Sequence, residues 1–465
     1  MKTSKILLLC VAVICSTLNA GQDNTISAQE YAQRRASIIA RLDSTSVAIF
    51  SAAEESIRND DVAYPFHQNS TFYYLTSIKD PRSILLLLGH PFAISESLNV
   101  QAILFLPHSM GRWSQPLPSL EERAKQAGCT SPLEIALDID SLQSVLNSVL
   151  PTVRTLYYTP SLPESFIDRV AQVSYLSWRE AKKQLQERFP NLDVQNSVPL
   201  VESMRVIKSA DEQKLIQKAV DRTISSLTNA MKQCNSGMYE YELKANIDYS
   251  MAKAGIEFQA FPAIVAAGKN TVYPHYSGRA SRLKNGELVL IDCGAEVEGY
   301  SADITRTIPV NGKFTAAQKT LYELVLEARD SGIAAIEPGE QFATIQQTME
   351  RVLARGLQKL GILLSPDDIS NYTLHNFVHF IGLDVHDVGS YTQPLEPGMV
   401  LAIEPAIYIS DTTQCAPQYR GLGIRIEDDV LVTGLGCSLL SGISPVTVEE
   451  IETVMRKIPQ SQPKQ

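Results

Sequence analysis

The chain has 465 residues, 44% hydrophobic and 20% charged, with a formal charge of −10 from 41 basic and 51 acidic side chains. At roughly 100–200 residues per domain it holds two or three domains and buries a core without disulfide staples, which excludes a disulfide miniprotein or a disordered tail. The acidic balance and the lack of any long like-charge run argue against nucleic acid as a partner. Seven cysteines form no C-x-x-C pair, so neither a zinc ribbon nor a thioredoxin-type motif is encoded.

At the start of the chain, Lys2 and Lys5 precede an apolar run from Ile6 to Cys15, and the stretch Ser16–Ala20 follows. Residues 1–20 thus have the layout of a secretory signal peptide, which predicts a secreted or periplasmic protein. The run is too short to cross a bilayer comfortably, so no stable membrane span is expected. Removing it leaves five cysteines; Cys415 and Cys437 could pair, but their spacing does not demand it.

Residues 29–43 read as an amphipathic helix and Ser46–Phe50 as a strand. Further short apolar runs, Ile84–Leu88, Ala102–Leu106 and Thr155–Tyr158, alternate with helical stretches at Pro118–Ala127 and Ile167–Phe189. This is the pattern of a sheet covered by helices and predicts an α/β domain over residues 21–200. The texture changes at 195–205, where long helical patterns begin at Asp211–Gln233 and Glu240–Ala254. From 260 onward, β-rich segments at 287–310, 399–409 and 423–433 surround helices near 315–335 and 341–361, which predicts an α+β domain with antiparallel strands over 201–465.

The chemistry concentrates in that second domain. Leu288–Ile291 is a continuous apolar run that ends on Asp292, and an unpaired carboxylate among hydrophobes needs a cation or a proton. Asp303 follows a hairpin favoured by Glu298-Gly299; with the turn centred between Val297 and Glu298, Asp292 and Asp303 would lie opposite each other and repel unless something positive sat between them. Glu404 ends the run Met399–Ile403, and Glu427 sits in Gly423–Asp429 two residues after Arg425. One such acid is most simply a solvated strand end or a salt bridge; four together point to a metal centre. Oxygen-rich ligation without thiolate suits hard or borderline divalent ions, and two ions sharing carboxylates would neutralise the charge. Four of the seven histidines, His275, His375, His379 and His386, fall in the same half, and Gly382 suggests a turn between the last two. A lone histidine beside apolar residues is more often a core group, but the company here is acidic.

These segments resemble the proline-specific metallopeptidases of the pita-bread fold, the aminopeptidase P family. The resemblance is carried by Tyr273-Pro274-His275-Tyr276, by Ile291-Asp292-Cys293-Gly294 with Asp303, by Leu383–Gly389, by Leu395–Val400 and by Gly423–Asp429. Tyr64–Ser70 and Phe72–Thr76 resemble the N-terminal domain of the same family. The resemblance implies an α/β N-terminal domain followed by an α+β pita-bread catalytic domain with an antiparallel sheet. It implies Asp292, Asp303, His379, Glu404 and Glu427 as ligands of two divalent ions, with Asp303 and Glu427 bridging. Manganese is the first expectation, with zinc, cobalt or iron as alternatives. His275 and His386 would hold the substrate and the developing oxyanion, Glu404 would double as proton shuttle, and Arg425 would orient the site. The implied activity is removal of an N-terminal residue that precedes proline in peptides, by a homo-oligomer. A prolidase acting on dipeptides is the alternative, and a non-catalytic pita-bread binding protein is a third reading. The chain departs from the family's pattern at four places. His375-Asn376-Phe377-Val378 is bulkier than usual, Ala406 and Ser77 stand where glycines are common, and His67 replaces a frequent arginine.

Overall fold

The inner strands of the first sheet are buried on both faces, which is why Ser46–Phe50, Ile84–Leu88 and Ala102–Leu106 read as unbroken apolar runs rather than as alternating ones. The computed structural model describes residues 25–109, 115–158, 178–278 and 280–456; the expected signal at 1–20 and the start of the helix expected at 167–189 lie outside them. Six strands form this mixed sheet, in the spatial order Glu134–Asp138, Leu98–Leu106, Ile84–Ser95, Ser46–Ser51, Thr155–Tyr158 and Asp193–Gln195. Because side chains alternate along a strand, Ala48, Phe50, Leu85, Leu87 and Leu104 enter one core with Tyr31, Ile38, Phe72 and Leu75 of the covering helices. Val47, Ile49, Leu86, Leu88, Ile103 and Phe105 enter the other, with Val149 and Leu150. The strand expected at 84–88 runs on to Ser95, and a hairpin of Ile57–Asn59 with Val62–Ala63 was not expected, its residues being exposed and without alternation.

The helix Val198–Val206 leads out of this domain, and Ser209 starts the next helix, Ala210–Gln233, through a capping box with Glu212. One element order then occurs twice: two helices followed by antiparallel strands. Ala210–Gln233 and Glu240–Lys253 precede the sheet of Ile264–Ala267, Leu288–Cys293 and Ile304–Pro309. Ala316–Ala334 and Phe342–Lys359 precede a four-stranded sheet, Val378–Phe380, Val400–Ile403, Asp428–Thr433 and Gly436–Leu439, and the separate pair Ala406–Ile409 with Leu422–Arg425. This is an α/β N-terminal domain followed by an α+β pita-bread domain.

The hairpin register differs from the expectation. Val297 pairs with Tyr300, so the turn is Glu298-Gly299, and Asp292 faces Thr305 rather than Asp303. Both turn residues take positive φ, 48° and 81°, the conformation of a type I′ turn whose twist suits a two-residue hairpin. Asp303 stands just before the strand Ile304–Pro309, outside the ladder. Cys415 and Cys437 are free thiols.

The two domains meet through charged contacts: His67 with Glu296 at 2.8 Å, Lys79 with Glu298 at 3.2 Å and Arg34 with Glu212 at 3.3 Å. Among the described residues, no helix is long and apolar enough to cross a membrane.

Candidate metal centre

Strand ends from both halves of the pita-bread domain converge on one point. Asp292 is the next-to-last residue of a fully buried strand. The backbone N–H of Asp303 donates to Asp429 Oδ2 at 3.0 Å. His379 sits in the middle of Val378–Phe380, opposite Ala402. Glu404 follows Val400–Ile403, its N–H donating to Phe377 O at 2.9 Å, and the N–H of Glu427 donates to Thr305 O at 3.1 Å. Ligand atoms of Asp292, Asp303 and Glu427 lie within 4.8 Å of one another, as do those of His379, Glu404 and Glu427, and those of Asp303, His379 and His386. His379 Nε2 is 3.7 Å from Asp303, 3.6 Å from Glu404 and 3.6 Å from Glu427.

Negative charge is crowded in this cluster. Burial, then the neighbouring acids, holds Asp303 well above the usual carboxylate range. Burial also raises Asp292, against the pull of Arg425, and pushes Glu404 up to about 8. Burial would lower His379, but contact with Glu427 and Glu404 outweighs it and raises the imidazole to about 9. Glu427 alone stays low: His379 and Arg425 overcome the effect of burial. Asp292 Oδ1, Asp303 Oδ1 and His379 Nε2 are buried without a hydrogen-bond partner among the described residues. His379 Nδ1 lies 3.1 Å from Phe380 O, so Nδ1–H donates there, and Nε2, on losing its proton, presents its lone pair to a cation among the acids. Orphaned atoms on two carboxylates and one imidazole, with the carboxylates of Glu404 and Glu427 beside them, fit hard or borderline divalent cations.

A ring of polar groups orients these donors. Arg425 donates to Asp292 Oδ2 at 2.5 Å, to Thr305 Oγ1 at 3.1 Å and to Tyr408 OH at 2.8 Å. Thr305 in turn donates to Glu427 Oε2 at 2.7 Å. Tyr408 OH also meets His375 Nε2 at 2.9 Å, and His375 Nδ1 lies 3.4 Å from Glu404. Burial, and then Arg425, lowers His375 to about 4, so the ring is neutral. Sequence reasoning gave no role to His375, Tyr408, Thr305 or Asp429. The one available signal was His375 itself, four residues before His379 and close to the acids.

His275 and His386 stand on the open side, lining a cavity of about 410 Å³ with Asp292 and Asp303 at its base and Phe261, Pro262, Ile264 and Val385 in its walls. The His386 ring stacks on His379 with centroids 4.0 Å apart and planes 7° from parallel. The bulky substitutions near His379 are absorbed by packing, since Phe377 is wholly buried and Val378 pairs with Ile403.

A pita-bread domain that buries this donor set under an open cavity defines a metallopeptidase. Residues 214–434 match metallopeptidase family M24, and residues 31–157 match the aminopeptidase P N-terminal domain. Xaa-Pro aminopeptidase of Escherichia coli is 32% identical over 451 residues, covering 92% of this chain and 98% of that protein. Proline aminopeptidase P II from Yersinia pestis superposes with a TM-score of 0.81 at 32% identity, covering 92% of this chain and 99% of that one. Zinc-substituted Escherichia coli aminopeptidase P in complex with product gives a TM-score of 0.81 at 32% identity over 93% of this chain and all of that one. The chain belongs to the Xaa-Pro aminopeptidase family of the M24 metallopeptidases and is a metallo-exopeptidase. Enzymes of this class work with divalent metal ions.

Proposed function

We propose that the centre holds two divalent ions and that the enzyme removes the first residue of peptides whose second residue is proline. One observation carries the two-ion reading: Glu427 belongs to two ligand groups at once, one with Asp292 and Asp303 and the other with His379 and Glu404. A carboxylate shared in this way is what a bridging ligand requires. Manganese is the first candidate, with zinc, cobalt and iron as alternatives. When bound, such ions supply Lewis acidity at the scissile carbonyl and make nearby water easier to deprotonate.

The protein's own side chains do the positioning. His275 and His386, at the cavity edge beside Asp292 and Asp303, donate to the substrate carbonyl and steady the charge that develops on it. Glu404 is the least enclosed of the four acids, with 12% of its side chain exposed, and faces His375; it carries the proton between attacking water and leaving nitrogen. Arg425 keeps Asp292 turned into the centre. Proline makes the scissile bond a tertiary amide with no N–H and holds the residue before it extended, so an apolar cavity can select such peptides by fit.

The test uses metal-stripped enzyme to which manganese or zinc is returned. Two ions should bind per chain, Asp303→Asn should reduce that number sharply, and X-Pro-Y tripeptides should be cleaved faster than X-Pro dipeptides. One ion per chain would overturn the two-ion reading. Faster cleavage of dipeptides would make the enzyme a prolidase.

Residues 1–20 are read as an export signal on their charged start and short apolar run, and the protein as a homo-oligomer on its family resemblance. N-terminal sequencing of exported protein should find residues 1–20 missing; Met1 retained on cytoplasmic protein would overturn export. Sedimentation as a monomer would overturn self-association.

A further inference from the structure

The loop from Gly382 to Val388 brings His386 to the cavity, and its far side is gripped by charges that belong to no metal ligand. Asp387, next in sequence to His386, is buried; one carboxylate oxygen accepts from Arg205, and the other accepts from Lys208 Nζ at 3.0 Å. Arg205 also donates to Asp384 Oδ2 at 2.8 Å and to Thr71 Oγ1 at 3.3 Å. Ser70 donates to the other oxygen of Asp384 at 2.6 Å. Ser70 and Thr71 open the helix Ser70–Thr76 of the first domain, whereas Arg205 lies in the last turn of the helix joining the two domains. A single buried guanidinium therefore touches the N-terminal domain and the loop of His386.

Close approach of the backbone completes the grip. A Cβ on Gly382 would lie 2.0 Å from Asp387 Oδ2, and Gly382 is not among the residues with positive φ. Glycine is thus required there by the carboxylate rather than by the backbone conformation. Buried ion pairs are a weak source of stability once desolvation is counted, so a network this enclosed is better explained by the geometry it enforces.

We propose that Arg205, with Lys208, is a positioning residue: through Asp387 it holds His386 stacked on His379 at the cavity, and it ties that orientation to the seating of the N-terminal domain. This role for Arg205 rests on the function proposed above for His386.

The test is a cycle of Arg205→Met and His386→Ala in the full-length, metal-loaded enzyme, with kcat, KM, metal content and Tm measured for each variant. Arg205→Met should lower kcat about ten- to a hundredfold with metal content unchanged, as expected when a group that orients an active-site side chain is lost. In the His386→Ala background the same change should cost less than about twofold in kcat while lowering Tm equally, because the path through His386 is already cut. Arg205→Lys, which keeps a cation beside Asp387, should recover part of the loss. If Arg205→Met does not fold, Ser70→Ala combined with Thr71→Val removes the side-chain contacts of the helix Ser70–Thr76 to Asp384 and Arg205 and enters the same cycle. Equal kcat losses in both backgrounds, a matching loss of metal, or wild-type kcat in Arg205→Met would each overturn the positioning role. If His386→Ala alone keeps wild-type kcat, the function given to His386 fails as well; if it is slow while Arg205→Met is not, only the role of Arg205 fails.

Discussion

Arg425 and Asp292 are joined by a 2.5 Å charge-assisted hydrogen bond that occupies Asp292 Oδ2 and leaves Oδ1 buried without a partner among the described residues. The guanidinium therefore decides which oxygen faces the centre. Lysine could not replace it, because Arg425 also reaches Thr305 and Tyr408 with separate N–H groups. Arg425→Lys should weaken metal retention or activity by about ten- to a hundredfold, the usual cost of losing an orienting partner of a ligand. Metal analysis and kcat/KM on the purified variant check this; wild-type values for both would show that Asp292 orients without help.

His67 offers a pH-dependent contact between the domains. Its hydrogen bond to Glu296 raises the imidazole pKa, while burial opposes the shift. A raised histidine pKa means that the pair contributes its full stability below the unfolded value near ~6.5 and loses it as pH climbs through the folded value. With 48% of the His67 side chain exposed, the contribution should stay under about 1 kcal/mol. The Tm of His67→Gln should fall below that of wild type at pH 6, and the two should converge by pH 9. A constant gap across that range would assign the effect to packing rather than to charge.

Ser77 closes the helix Ser70–Thr76 in the left-handed region, at φ 58°. That conformation explains why glycine is common in the family at this place, since any Cβ is strained there. Ser77→Gly should therefore stabilise the protein, by up to about 1 kcal/mol. A chemical denaturation series compares the two proteins directly. A lower midpoint for the glycine variant would mean that the Ser77 hydroxyl, 3.4 Å from Gln126 O, outweighs the backbone relief.

Asp292, Glu404 and Glu427 were conspicuous in the sequence for one physical reason: each interrupts or ends an apolar β run, where an acid has no cheap environment. The inner strands of the first sheet were readable because burial on both faces leaves a continuous hydrophobic signal, whereas the less buried edge strands Glu134–Asp138 and Asp193–Gln195 carry none. Tyr408 was not readable. In Ala406–Ile409 it looks like one more apolar strand residue, and only the pairing of Ala406 with Arg425 across the ladder brings its hydroxyl to the guanidinium. The hairpin register failed because the turn depended on Glu298 accepting positive φ, which residue type alone does not announce. Likewise Arg329 gives no hint in its helix that it will meet Asp428, almost a hundred positions away, at 2.8 Å.

Substrate handling and metal binding fall to different histidines. His275 and His386 line the cavity on the side open to solvent, whereas His379 turns its Nε2 into the cluster of acids. Burial, and then the neighbouring His379, lowers His386 to about 4, and an imidazole has an N–H to donate whether neutral or charged. His275→Ala and His386→Ala should accordingly lower kcat on X-Pro-Y peptides by about a hundredfold or more, the range for losing a hydrogen bond to a developing oxyanion. Metal content should stay at the wild-type level in both, and KM should change less than kcat, since a group that acts mainly in the transition state affects turnover more than binding. His379→Ala, by contrast, should lose metal together with activity. The opposite pattern, with an emptied centre in the His275 and His386 variants and a filled one in His379→Ala, would exchange the two sets of roles.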